Sequence, residues 1–191
     1  EYWGRVKAGM LALEKEMDEL DASDVQRMNS SEWFDFLVLK YYKWKYYPRW
    51  YEKNVKTLKE EVDQSGLGFL YAIKEEIFRA QSGGILGGLL AAKKIPGLGT
   101  AGASGLLALL FPSEYGTVDQ YVVKALAQVP TLQERDLILA MGPGELSGSD
   151  GLVLIQIMKQ KSLALNESLG TDFWTPRKID MVLWATPRLN D

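Results

Sequence analysis

The run from Ser82 to Phe111 restricts what this chain can fold into more than any other stretch. It is apolar and rich in glycine and alanine, and at its centre stands Lys94-Ile95-Pro96-Gly97-Leu98-Gly99-Thr100. A proline of fixed φ followed by glycines on either side of one residue reads as a tight turn between two short helices, with backbone brought close to another group. Small residues let the two helices pack closely, so a buried helical hairpin is expected over about residues 84–110. Lys93-Lys94 and Pro96 divide the apolar run into pieces shorter than the roughly 20 residues that cross a bilayer. No membrane span is therefore expected.

The rest of the chain reads as helix. Val6, Met10, Leu11, Leu13, Met17 and Leu20 recur at mostly three- and four-residue spacings, predicting one amphipathic helix over residues 2–20. Asp21 to Asp24 closes it and caps a short successor. Asn29 with Glu32 forms a capping-box pattern ahead of a helix from Ser31 to about Tyr47, and Pro48 suits the first turn of the next, to about Val62. Ser65-Gly66-Leu67-Gly68 predicts a break before a helix over Phe69–Gln81. Thr100 is expected to cap a helix to about Leu110, and Asp119 to cap one over Gln120–Gln128. Thr131 with Glu134 reads as a further capping box, Asp150 as a helix start, and Thr175-Pro176 as the start of a last helix stopped by Pro187. No stretch alternates as a strand does. The expectation is a single all-α domain over residues 1–191, a bundle of about eight to ten short helices compatible with two lobes around a cleft.

Composition narrows the chemistry. The chain has neither histidine nor cysteine, which removes imidazole bases, Ser-His-Asp triads, thiolate metal sites and disulfides. Catalysis, if any, falls to carboxylates, lysines, hydroxyls or backbone amides. No metal site is expected. The first residues open directly into an amphipathic pattern with no basic cap and apolar run, so a cytoplasmic location is expected. The net charge is −3, yet residues 40–59 hold seven basic residues against Glu52 alone, a local +6 that leaves −9 elsewhere. A basic patch on an acidic body suits a site for one polyanion, and equally a solvated helix face.

The stretch Leu89-Leu90-Ala91-Ala92-Lys93-Lys94-Ile95-Pro96-Gly97-Leu98-Gly99-Thr100-Ala101-Gly102-Ala103-Ser104, followed by Val118-Asp119, resembles the helix-hairpin-helix of the base-excision DNA glycosylases. That superfamily includes endonuclease III and the 8-oxoguanine glycosylases. Its members carry a Leu-Pro-Gly-Val-Gly hairpin, a helix, a loop and a Val-Asp or similar pair opening another helix. The resemblance covers Leu89 to Leu126 and implies an all-helical fold that grips duplex DNA and flips a damaged base. It implies that Gly97, Leu98, Gly99 and Thr100, with Lys93 and Lys94, contact the DNA backbone, and that Asp119 is the catalytic carboxylate. Outward carbonyls of the hairpin could take a monovalent cation; no other cofactor is implied. Physical chemistry agrees at one point: amides at a helix N-terminus favour a phosphate. One position departs from the pattern. Members that also cut the strand have a lysine where this chain has Ala101, so the resemblance implies a monofunctional glycosylase that only removes the base.

Residues 33–51 hold ten aromatics, interleaved with Lys40, Lys43, Lys45 and Arg49. They cannot all face one core stripe, so some are exposed or line a cleft. Aromatics beside cations suit a flipped base and its flanking phosphates, and Trp44, Tyr47 and Trp50 with Lys43 and Lys45 are the candidates for a base pocket or groove. Arg177 and Lys178 sit at the start of the last helix, against the dipole preference, which hints at an external anion. Two alternatives stand beside a glycosylase. One is a catalytically silent relative that binds nucleic acid through the same hairpin. The other is an acidic helical domain whose aromatic stretch contacts a protein.

Overall fold

The computed structural model describes residues 2–80, 83–142 and 144–186, which are helical with no strand among them. The helices are α1 (Tyr2–Arg5), α2 (Leu11–Asp18), α3 (Ala22–Arg27), α4 (Ser30–Asp35), α5 (Tyr42–Lys45), α6 (Pro48–Ala80), α7 (Gly84–Ala92), α8 (Thr100–Leu110), α9 (Gln120–Ala127), α10 (Arg135–Ala140), α11 (Gly148–Leu169) and α12 (Pro176–Ala185). Gln81, Ser82 and Pro187, which figure in the expected helix limits, lie outside the described residues.

Helix α8 is the centre. From Gly102 to Leu110 every residue is buried, because the segment is apolar all round and α7, α11 and α12 surround it. One hydrophobic cluster continues from it to Met17 at one end of the chain and Ile179 at the other. The small residues of the hairpin admit aromatic rings as much as a second helix. A Cβ on Gly88 would strike the Tyr115 ring, and one on Gly102 the Tyr46 hydroxyl.

The aromatic stretch is where the helix geometry departs from the regular. Between α4 and α5, residues Phe36–Tyr41 form a π-helical turn in which the Tyr42 N–H donates to the Leu37 carbonyl, five residues back. The wider turn brings Leu37, Val38, Tyr41 and Tyr42 inward together. The Tyr41 hydroxyl then donates to the Gly102 carbonyl of α8.

Several expectations need correction. Residues 2–20 do not form one helix: α1 ends at Arg5, Lys7 is extended at ψ 136°, and a 3₁₀ turn at Ala8–Met10 leads into α2. The break folds Tyr2 back so that its hydroxyl donates to Glu14, a contact no straight helix permits across twelve residues. The break at Ser65–Gly68 is a kink instead: α6 passes through it, with Gly66 alone non-helical at φ 77°. The Thr131–Glu134 capping box does not form, and α10 begins only at Arg135, with no side-chain cap. Ser147 caps α11 with Asp150 as its third residue, so that helix starts two residues before Asp150. Thr100 is the first residue of α8, not its cap; Gly99 takes the cap position.

Candidate active site and nucleic-acid interface

The two glycines of the hairpin differ in what holds them. Gly97 has φ 83°, and a Cβ there would lie 3.1 Å from the Asn54 Cβ of α6, so both backbone and space require glycine. Gly99 has φ −80° and ψ −173°, open to any residue, and nothing lies within 4 Å of where its Cβ would stand. The fold does not demand a glycine at 99; close approach by an outside group would. Helix α8 also starts without a side-chain cap, which leaves its first amides without side-chain partners.

The side chains of Leu98 and Thr100 are buried. Thr100 packs its methyl on Gly151, and its hydroxyl has no hydrogen-bond partner. What the hairpin offers outward is therefore backbone. Its carbonyls are partly engaged: Pro96 O accepts from the Tyr42 hydroxyl, and Gly97 O from Tyr46 at 3.3 Å, so a cation there would have to compete for them. Lys94 is held by both carboxylate oxygens of Glu76, at 2.6 and 2.8 Å. Lys93 is half-buried at the end of α7.

Three neighbours fix the backbone leading into α9. The Thr117 N–H donates to Asp180 Oδ2 at 2.7 Å, the Val118 N–H to Ser104 Oγ of α8 at 2.9 Å, and the Val123 N–H to the Asp119 carbonyl at 3.1 Å. Asp119 Oδ1 then accepts from the Tyr121 and Val122 amides at 2.8 and 3.1 Å, capping the helix. Oδ2 has no hydrogen-bond partner among the described residues. The carboxylate is half-buried.

Around Asp119 stands a charged cluster drawn from both ends of the chain. Arg177, buried, donates to Asp180 Oδ1 at 2.9 Å and to Glu14 Oε1 at 3.2 Å, and lies 3.7 Å from Asp18. Burial opposes its charge, but Asp180, Tyr2, Glu14 and Asp18 hold the guanidinium above its ordinary range. The Trp44 indole N–H donates to Glu14 Oε2. Burial pushes the Asp180 carboxyl up to about 6, against the pull of Arg177 and the Thr117 amide, with Asp119 adding to the rise. Lys45 completes the set: burial lowers its proton affinity, while Asp119 first and then Asp180 act to restore it. Glu14, Asp18, Asp119 and Asp180 stand against Arg177 and Lys45 alone, so with all ionised the cluster is net anionic.

Half-buried rings border this cluster. Tyr121 meets Trp184 edge-on with centroids 6.4 Å apart, and Trp184 meets Tyr2 at 5.5 Å. The aromatic candidates divide. Trp44 and Lys45 belong to the Asp119 cluster, whereas Tyr47 and Trp50 are exposed, each with a lysine over its ring: Lys7 at 5.5 Å and Lys53 at 5.2 Å. Trp50 lies one turn before Asn54 on α6. Lys43 is exposed. Two surface hollows, one lined by Phe78 and Phe111 and one by Met28 and Tyr71, are lined by neither Asp119 nor Lys45.

The hint of an external anion at Arg177 and Lys178 is overturned. Arg177 is consumed by internal carboxylates, and Lys178 donates to the Phe173 carbonyl at 2.8 Å with its ammonium 3.6 Å from that ring's centre. Sequence reasoning missed Glu14, Asp180 and Tyr121 as members of the site. A buried aspartate three residues after an arginine on one helix face was the available signal.

The fold and site thus define an all-helical protein with a half-buried aspartate capping a helix beside a buried ionic cluster, and a helix N-terminus without a side-chain cap at the hairpin. Compared with known protein families, with curated proteins and with solved structures, the chain matches none.

Proposed function

We propose that this chain is a DNA N-glycosylase that flips a damaged or modified base out of the duplex and removes it by hydrolysis. The observation that carries the reading is Asp119: held in place by its own N-cap and by a backbone pinned at Thr117 and Val118, it has Oδ2 without a hydrogen-bond partner among the described residues, beside a net anionic, partly desolvated cluster. Breaking an N-glycosidic bond leaves positive charge on the deoxyribose. A fixed carboxylate stabilises that charge without reorganising, and orients the water that attacks C1′. Desolvation strengthens the effect relative to a carboxylate in water. Trp184, half-buried at the edge of the cluster, is a ring on which an extruded base could stack. The Gly99 side of the hairpin, free of side chain, offers amides to a phosphate, and Ala101 gives the hairpin no amine.

The test is base release. Across a panel of duplexes each carrying one modified base, the unmodified chain releases at least one base, and Asp119→Asn releases none while still binding that duplex. Equal release by the variant removes Asp119 from the mechanism. Binding without release on every duplex favours a silent nucleic-acid-binding relative.

A further inference from the structure

Of the ten aromatic residues between 33 and 51, eight pack into the core or against it. Four of those also use their polar atoms there: Tyr41 donates to the Gly102 carbonyl, Tyr42 to that of Pro96, Tyr46 to that of Gly97 and Trp44 to Glu14. Tyr47 and Trp50 do neither. They are 58% and 51% exposed, and neither phenol nor indole bonds to a described residue. Pro48 sets their position. It opens α6, and the Tyr47 carbonyl accepts from the amides of Trp50 and Tyr51, both at 2.9 Å, so the two rings stand one turn apart at the start of that helix. Each has an ammonium over its ring within cation–π reach, Lys53 at Trp50 and Lys7 at Tyr47. Lys7, Arg49 and Lys53 make no ion pair with a described residue. The first turn of α6 holds Arg49 and no acid, against the dipole preference. At Arg177 the same reversal is answered by internal carboxylates; at Arg49 no described carboxylate answers it.

We propose that this surface binds an unpaired nucleic-acid strand, with bases stacked on Tyr47 and Trp50 and the flanking phosphates met by Lys7, Arg49 and Lys53. It is a second site, formed without Asp119 and independent of the glycosylase reading. Stacking on an aromatic face needs no pocket and reads no sequence, and neither surface hollow is lined by either ring. Duplex bases are already stacked on one another, so only a strand with free bases can use both rings. A lysine on one face of a ring leaves the other for a base and offers its charge to that base's phosphate. The remaining chemistry excludes other occupants. A surface that enters a lipid layer presents aliphatic side chains, and the exposed residues of 43–57 are Lys, Tyr, Pro, Arg, Trp, Glu and Thr. Protein interfaces are depleted in lysine, whereas here a lysine accompanies each ring. Glu52 is the one acid among residues 40–59, and α6 turns acidic only beyond Lys59, at Glu60, Glu61 and Asp63, which bounds the surface.

The experiment titrates the full chain into a short labelled oligothymidylate, and separately into a duplex of the same length, reading fluorescence anisotropy at several salt concentrations. The unmodified chain should bind the oligothymidylate with an affinity that falls as salt rises. Trp50→Ala and Tyr47→Ala should each weaken that binding roughly 5- to 100-fold and leave duplex affinity unchanged. Trp50→Phe, which keeps a ring, should retain most of it. Lys53→Ala should weaken single-strand binding and flatten its salt line by about 0.7. Both aromatic positions are exposed, so near-native circular dichroism is expected of every variant. An oligothymidylate affinity that is absent or indifferent to salt overturns the proposal, as does a Trp50→Ala loss that is equal on duplex and single strand, or a Trp50→Phe no better than Trp50→Ala. Capture by phosphatidylserine vesicles without oligothymidylate binding also overturns it and assigns the surface to a membrane. None of these readouts involves base release, so the glycosylase reading stands or falls on its own test.

Discussion

At the scale of single residues, Asp119 and Gly99 each separate function from fold. Asp119 holds the first turn of α9 through Oδ1, and asparagine caps a helix about as well as aspartate. Asp119→Asn should therefore unfold in urea within a few tenths of a kcal/mol of the unmodified chain, while Asp119→Ala loses about 1 kcal/mol. If activity follows the charge and stability follows the cap, both variants lose base release and only the alanine loses stability. The hairpin glycines give the complementary contrast. Alanine at Gly99 meets open space at an ordinary φ, so its cost to stability is limited to the poorer N-cap, about 1 kcal/mol or less, whereas its methyl blocks close approach and lowers duplex affinity. Alanine at Gly97 must adopt φ 83° and crowd Asn54, at a cost of about 1–3 kcal/mol. Denaturation and filter binding on the two variants decide it; a Gly99→Ala that binds duplex normally would show that nothing approaches there.

At the scale of elements, the site depends on α12 meeting the N-terminal helices. Arg177 bridges them, so Arg177→Met strands Glu14 and Asp180 as buried charges and should cost about 3–5 kcal/mol in chemical denaturation. Asp180 adds a pH dependence. Its carboxyl, ordinarily near 3.8, titrates at about 6 in the fold, so between those values the folded state binds more protons than the unfolded. Stability from this group is therefore full below the lower value and is lost as pH rises through the higher one. Measured against Asp180→Asn, which cannot titrate, the unmodified chain should lose stability between about pH 4 and pH 6 and run parallel above; a constant difference across that window would place the Asp180 carboxyl at its ordinary value. This pairing also marks the limit of what the sequence discloses. Caps are local, and Asn29 with Glu32, Asp119, and Thr175 with Pro176 stand in the chain as they act in the fold. Glu14 and Arg177 are 163 positions apart, and no periodicity announces such a contact. The π turn at Phe36–Tyr41 was equally hidden. The Tyr41 hydroxyl there reaches the Gly102 carbonyl, 61 positions on, a partner that local propensity does not encode.

At the scale of the whole molecule, an acidic chain that binds DNA must do so through a restricted face. Of the basic residues between 40 and 59, Lys40 is paired with Glu16 at 2.6 Å and Lys56 with Glu60 at 3.7 Å, and Lys45 is turned inward. Arg49, Lys43, Lys53 and Lys59 remain exposed, with Lys53 over the Trp50 ring. Few phosphates can be met by so few cations, so affinity should fall with salt along a shallow line whose slope is about −0.9 per phosphate contacted. Lys53→Ala should weaken binding to every duplex alike and reduce that slope by about one, as expected for a phosphate contact that reads no base. Gly99→Ala should weaken binding with the slope nearly unchanged, because an amide brings no counterion exchange of its own. Titrations at several salt concentrations on one undamaged duplex separate the two effects. A salt-independent affinity, or none, would instead assign the exposed Tyr47–Trp50 surface to a protein partner and leave the hairpin a turn that serves only the fold.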